Sequence, residues 1–134
     1  MKILKVITLI LGSIPLLVKS QATDTLKPTF KFENTVHDFG NINEGQQVTC
    51  EFTCTNISKT PLIISSVGVT CSCMTPAWSK EPIAPGKTAQ IRITYDSKAK
   101  PGHFTKVSYV KFASGDFEYL TIRGIVDVPA ISDR

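Results

Sequence analysis

Apolar and polar residues alternate strictly between Val48 and Thr55: Val48, Cys50, Phe52 and Cys54 stand against Thr49, Glu51, Thr53 and Thr55. A period of two places successive side chains on opposite faces of an extended chain, so this stretch can only bury its apolar set as a half-buried strand. A second instance sets Ala89, Ile91, Ile93 and Tyr95 against Thr88, Gln90, Arg92, Thr94 and Asp96, directly after the turn signal Pro85-Gly86-Lys87. Thr29–Glu33, Val36–Phe39, Leu62–Val69, Phe104–Phe112 and Phe117–Val126 are rich in the β-branched and aromatic residues that strands favour, which brings the predicted count to seven. Turn chemistry separates them at Asn43-Glu44-Gly45, Ser58-Lys59-Thr60-Pro61, Lys100-Pro101-Gly102 and Ser114-Gly115-Asp116. Nowhere does an apolar pattern of helical period persist. About seven short strands with little helix predict an all-β, immunoglobulin-like sandwich of two packed sheets. The segment Thr75–Pro85, with Pro76, Pro82 and Pro85, reads as a long loop between strands.

The first residues follow a different logic. Lys2 and Lys5 precede an apolar run from Val6 to Val18, broken by Gly12 and Pro15, and small residues stand at Ser20 and Ala22. That is the layout of a cleaved secretory signal peptide over residues 1–22, with cleavage after Ala22 or, almost as well, after Ser20. The run is too short and too interrupted for a spanning helix. Removing it leaves 112 of the 134 residues as one domain, 23–134, with its core over about 30–127, and no membrane span. The segment carries three basic residues and no acidic one, so the net charge falls from +4 to +1. The remaining Lys and Arg are scattered singly, which argues against nucleic acid or an anionic membrane as partner.

The run Asp38-Phe39-Gly40-Asn41-Ile42-Asn43-Glu44-Gly45, then Phe52, Asn56 and Pro61-Leu62-Ile63-Ile64, resembles the bacterial envelope family DUF1573, a family of unknown function. The resemblance continues through Cys71-Ser72-Cys73, Trp78, Glu81-Pro82-Ile83-Ala84-Pro85-Gly86, Tyr95, Pro101-Gly102 and Ile122-Arg123-Gly124, from about Phe32 to Val126. It implies a sandwich similar to immunoglobulin-like domains of the ciliary and major-sperm-protein type, and no known catalysis. Two positions depart from the family pattern: Ser72 stands where Gly is usual between the cysteines, and Met74 where Thr is usual after them.

Cys71, Ser72, Cys73 and Met74 form the most suggestive chemical cluster. Two thiols and a thioether are soft ligands suited to Cu(I), although a closed zinc site needs four ligands and neither histidine is near in sequence. As a redox pair, Cys71 and Cys73 could cycle between thiols and a strained short-loop disulfide. The plainer alternative is a strand end whose small side chains pack beneath a Trp78 loop. Export permits disulfides. Cys50 and Cys54 lie about 13 Å apart along one strand, beyond the reach of a bridge, and two crossing bridges to Cys71 and Cys73 fit poorly, so one bridge or none is expected.

Trp78 is either an exposed binding anchor or a lid over one end of the sandwich. His37 and His103 lack a neighbouring nucleophile motif and read as surface residues flanking turns. Asp38 and Asp96 could pair with Arg92 or Lys98, as exposed pairs of little energetic consequence. Asn56-Ile57-Ser58 matches a glycosylation acceptor, a common tripeptide that is given no weight. No catalytic set, cofactor motif or metal site is expected. The chain is therefore read as an exported, non-enzymatic binding or structural module of the bacterial cell envelope, engaging another envelope protein by loops or a sheet edge. The alternative is a thiol redox or Cu(I)-handling protein acting through Cys71 and Cys73.

Overall fold

The computed structural model describes residues 27–130 and, apart from them, Gly12 alone. Residues 1–22, read from sequence as a signal peptide, otherwise lie outside the described residues. Among the described residues eight strands form two four-stranded sheets: β1 Phe30–Phe32, β2 Val36–Asn43, β3 Gln47–Asn56, β4 Ile64–Val69, β5 Met74–Trp78, β6 Thr88–Asp96, β7 Gly102–Phe112 and β8 Phe117–Asp127. One sheet has the order β1-β3-β6-β5, the other β2-β8-β7-β4. All pairings are antiparallel except β2 with β8. No helix among the described residues is long and apolar enough to cross a membrane.

The alternating stretches behave as their pattern requires. Cys50, Phe52 and Cys54 of β3 and Ile91, Ile93 and Tyr95 of β6 are buried, and β3 and β6 pair residue for residue from Gln47 with Asp96 to Thr55 with Thr88. Across the sandwich they meet Phe104, Val110 and Phe112 of β7 and Leu120, Ile122 and Val126 of β8. Tyr95 stacks on Phe104 at a centroid distance of 4.2 Å.

The eighth strand corrects the sequence reading. Met74–Trp78, assigned largely to a loop, pairs with β6 as the edge of its sheet. Pro76 deprives it of one amide donor, which an edge strand tolerates because one side has no ladder to complete. The loop proper begins after Trp78 and contains Pro82 and Pro85, with a single bridge between Leu62 and Ile83.

Two side-chain knots join segments distant in sequence. In β2 the register shifts between Asp38 and Asn41, and Gly40 takes a positive φ of 65° that favours glycine. Asp38 accepts the Gly40 amide at 2.8 Å and the Arg123 Nε at 2.9 Å, contacts that hold its carboxyl below the usual carboxylate range. Beside them Gly124 lets two strands approach, since a Cβ there would lie 2.8 Å from the Gly40 carbonyl. The pairing of Asp38 with Arg92 or Lys98 considered from sequence is replaced by this one, and Arg92 pairs with Glu51 at 2.7 Å. The second knot is Asn56, which is fully buried; its amide donates to the carbonyls of Thr60 and Ile83, and its oxygen accepts from Ser58.

Candidate functional site

The chain passes from β4 in one sheet to β5 in the other through Thr70–Cys73, and there the structure joins Cys71 to Cys73 in a disulfide with Cα atoms 5.1 Å apart. Both flanks are tied down. The Thr70 hydroxyl donates to the Val107 carbonyl at 2.8 Å, and the Cys73 carbonyl accepts from the Asp96 amide at 2.8 Å. Within the turn, the Met74 amide donates to the Cys71 carbonyl and the Cys73 amide donates to Cys71 Sγ at 3.2 Å. Cys71 is partly exposed, whereas Cys73 and Met74 are buried. The sequence expectation of one bridge or none is met with one. The pair is a covalent turn and not the loose packing of two free thiols.

Cys50 and Cys54 are free thiols on the inner face of β3. Burial pushes each up to about 11, so both remain protonated at neutral pH. Cys54 is fully enclosed. Cys54→Ser is expected to destabilise the domain by about 1–3 kcal/mol, because the hydroxyl loses its water without gaining a partner. A urea denaturation midpoint equal to wild type would contradict this packing.

Trp78 does not join the cysteines. It sits at the far end of β5, opposite Ile91, half-buried and packed against the core, with Nε1 enclosed and lacking a partner among the described residues. The side chain covers the sandwich at a sheet edge, from a strand and not from a proline-bearing loop. His37 lies within β2, edge-to-face with Phe39 at 4.5 Å, and His103 is exposed next to Gly102 at the start of β7. No carboxylate or thiol cluster forms around either: among the described residues, no group of three or more His, Cys, Asp and Glu could hold a metal ion.

Another surface has the features of a binding face. On the outer side of the β2-β8-β7-β4 sheet, Tyr109 lies opposite Tyr119 and Lys111 opposite Phe117. These three aromatic residues are exposed by 43%, 56% and 58% for Tyr109, Tyr119 and Phe117, and the last two meet edge-to-face at 5.4 Å. Tyr109 leans over Gly68 of β4, where any Cβ would enter the Tyr109 ring. Gly68 thus provides the space in which that ring lies down.

The family model described as "Protein of unknown function (DUF1573)" matches residues 30–126. The chain belongs to this family. No curated protein matches it in sequence. Among solved structures, this DUF1573 domain is similar to a protein of unknown function from Porphyromonas gingivalis W83, with a TM-score of 0.62 and 15% identity over 73% of this chain and 46% of that one. It is also similar to the VesB protease of Vibrio cholerae, at 0.58 and 15% over 73% of this chain and 32% of the protease. The ASH/PapD-like domain 7 of human CEP192 matches at 0.63 and 12%, covering 83% of this chain and 96% of that domain. The chain spans less than half the length of the first two. At these identities the likeness is one of fold, an immunoglobulin-like sandwich of the ASH/PapD type.

The motif residues that mark the DUF1573 resemblance divide in the structure. Asp38, Gly40, Arg123 and Gly124 make one knot, Asn56, Leu62 and Ile83 another, and Cys71 and Cys73 the disulfide turn. The aromatic face lies outside all three.

Proposed function

We propose that this chain is an exported, non-enzymatic binding module of the bacterial cell envelope, which engages another protein through the outer face of the β2-β8-β7-β4 sheet. The observation behind it is the uncovered Tyr109, Phe117 and Tyr119 cluster, since contiguous exposed aromatics mark contact surfaces. The sheet edges are less suited to the task than the sequence suggested. β1 has three residues, β2 is bulged at Gly40, β4 shifts register between Ile64 and Ser66, and β5 contains Pro76, all devices that discourage strand addition. Export rests on the basic start and apolar run of residues 1–22.

A photo-crosslinking residue placed at Tyr119 in envelope preparations tests the reading. A protein adduct should form there, disappear in the double variant Tyr109→Ser, Phe117→Ser, and persist in Cys71→Ser, Cys73→Ser. Adducts that ignore the aromatic substitutions would remove this face from consideration. The mass of the exported chain reports export itself, with Thr23 or Gln21 as its first residue.

A second reading, thiol redox chemistry, is favoured by the bond between Cys71 and Cys73. Cu(I) handling through the same residues would require that bond to be opened first, because the soft ligand is the thiolate.

A further inference from the structure

We propose that Cys71 and Cys73 form a thiol–disulfide exchange site whose substrate is a dithiol, with Cys71 as the exchanging sulfur and Cys73 as the sulfur held back; this rests on the second reading above. The bond joins residues two apart in sequence. Stabilisation by a cross-link grows with the length of the loop it closes, and this one ties no two strands together. The turn is already fixed to both sheets without it, through Thr70 and Val107 on one side and Cys73 and Asp96 on the other. Architecture alone therefore gives the bond little to do.

The two sulfurs are not equivalent. Cys71 is partly exposed, whereas Cys73 is 7% exposed, so an external thiolate reaches Cys71 first. The Cys73 amide donates to Cys71 Sγ at 3.2 Å, and a hydrogen bond to a developing thiolate favours the charged form. The remaining cysteines do not compete, because Cys50 and Cys54 are enclosed in the core and protonated at neutral pH.

Exchange then runs in two balanced steps. One thiolate of the dithiol attacks Cys71 Sγ; a new S–S bond forms to Cys71 while the Cys71–Cys73 bond breaks, and its electron pair passes to Cys73, which takes a proton from water. The second thiol of the dithiol, deprotonated, attacks its own sulfur within the mixed disulfide. That displaces Cys71 as a thiolate held by the Cys73 amide. The dithiol leaves oxidised by two electrons, and the pair in the chain is reduced by two. The reverse sequence reoxidises it.

Dithiothreitol and glutathione disulfide serve as probes on the full chain. Dithiothreitol should open the wild-type bond while the domain stays folded and Cys50 and Cys54 stay unalkylated. Glutathione disulfide should then modify Cys73→Ser, which keeps Cys71, at least ~10-fold faster than Cys71→Ser. If either variant fails to fold, brief alkylation of the reduced wild type gives the same answer, with label expected first on Cys71. A bond that opens with labelling equal at both sulfurs, or faster at Cys73, would overturn the assignment of Cys71 and leave the redox reading standing. A bond that resists dithiothreitol until the domain unfolds would end both.

Discussion

Replacing Asn56 by Ala is expected to lower the unfolding free energy by about 2–4 kcal/mol. The side chain is fully buried, and its amide donates to the Thr60 and Ile83 carbonyls at 2.8 Å each. Its oxygen accepts from the Ser58 amide at 2.9 Å and the Ser58 hydroxyl at 2.7 Å. One residue at the end of β3 therefore organises both the turn that follows it and the loop that precedes β6. The Ile83 carbonyl retains the Leu62 amide as a second donor, and the Ser58 hydroxyl, released from Asn56, can turn its single proton to the Thr60 carbonyl 2.8 Å away, which keeps the cost below that of orphaning four groups. Asn56→Asp should be worse than Ala at neutral pH, because it aims a carboxylate at two carbonyl oxygens and loses both donations. Urea unfolding followed by the fluorescence of Trp78, the single tryptophan, measures both. A midpoint shift for Ala no larger than that of an exposed substitution would show that these bonds are replaced by water at no cost.

Asn56 also shows where sequence reasoning stopped. The tripeptide Asn56-Ile57-Ser58 matches a glycosylation acceptor, a match that carries no weight by itself, and only the fold shows the asparagine turned inward. The β3 and β6 strands were legible because alternation and hydrophobicity agree over nine paired residues. The β5 strand was not, since Pro76 argues against a strand until the position is known to be an edge. The contact of Asp38 with Arg123, 85 residues away, depends on parallel pairing of β2 with β8, and such non-local pairing leaves no trace in local pattern.

The candidate sites divide in the same way. Cys71 and Cys73 could be singled out from spacing, yet the difference in access between them, and the amide that favours Cys71, require coordinates. The aromatic face had a signal that went unread. In β8, Phe117 and Tyr119 alternate on one phase while Leu120 and Ile122 alternate on the other, so apolar residues occupy both faces. Only one phase can face the core of a sandwich; the other must be exposed or covered by a partner.

Phe112→Ala should destabilise the domain by about 3–5 kcal/mol, the cost of emptying a large aromatic volume that neighbours cannot refill. Phe112 ends β7, is 1% exposed, and stacks on Phe30 with ring centroids 4.2 Å apart and planes 25° from parallel. Phe30 belongs to β1, a strand of three residues whose only neighbour in its sheet, among the described residues, is β3. So short a ladder holds weakly, and the stack with Phe112 fastens this edge of one sheet to the other. Phe112→Leu, which refills much of the space, should cost less than half as much. A double-mutant cycle between Phe30→Leu and Phe112→Leu isolates the ring pair, with a coupling of about 0.5–1.5 kcal/mol expected beyond area burial. Additivity within about 0.3 kcal/mol would mean that β1 is held by its ladder to β3 alone, and that the two rings contribute only the surface each removes from water.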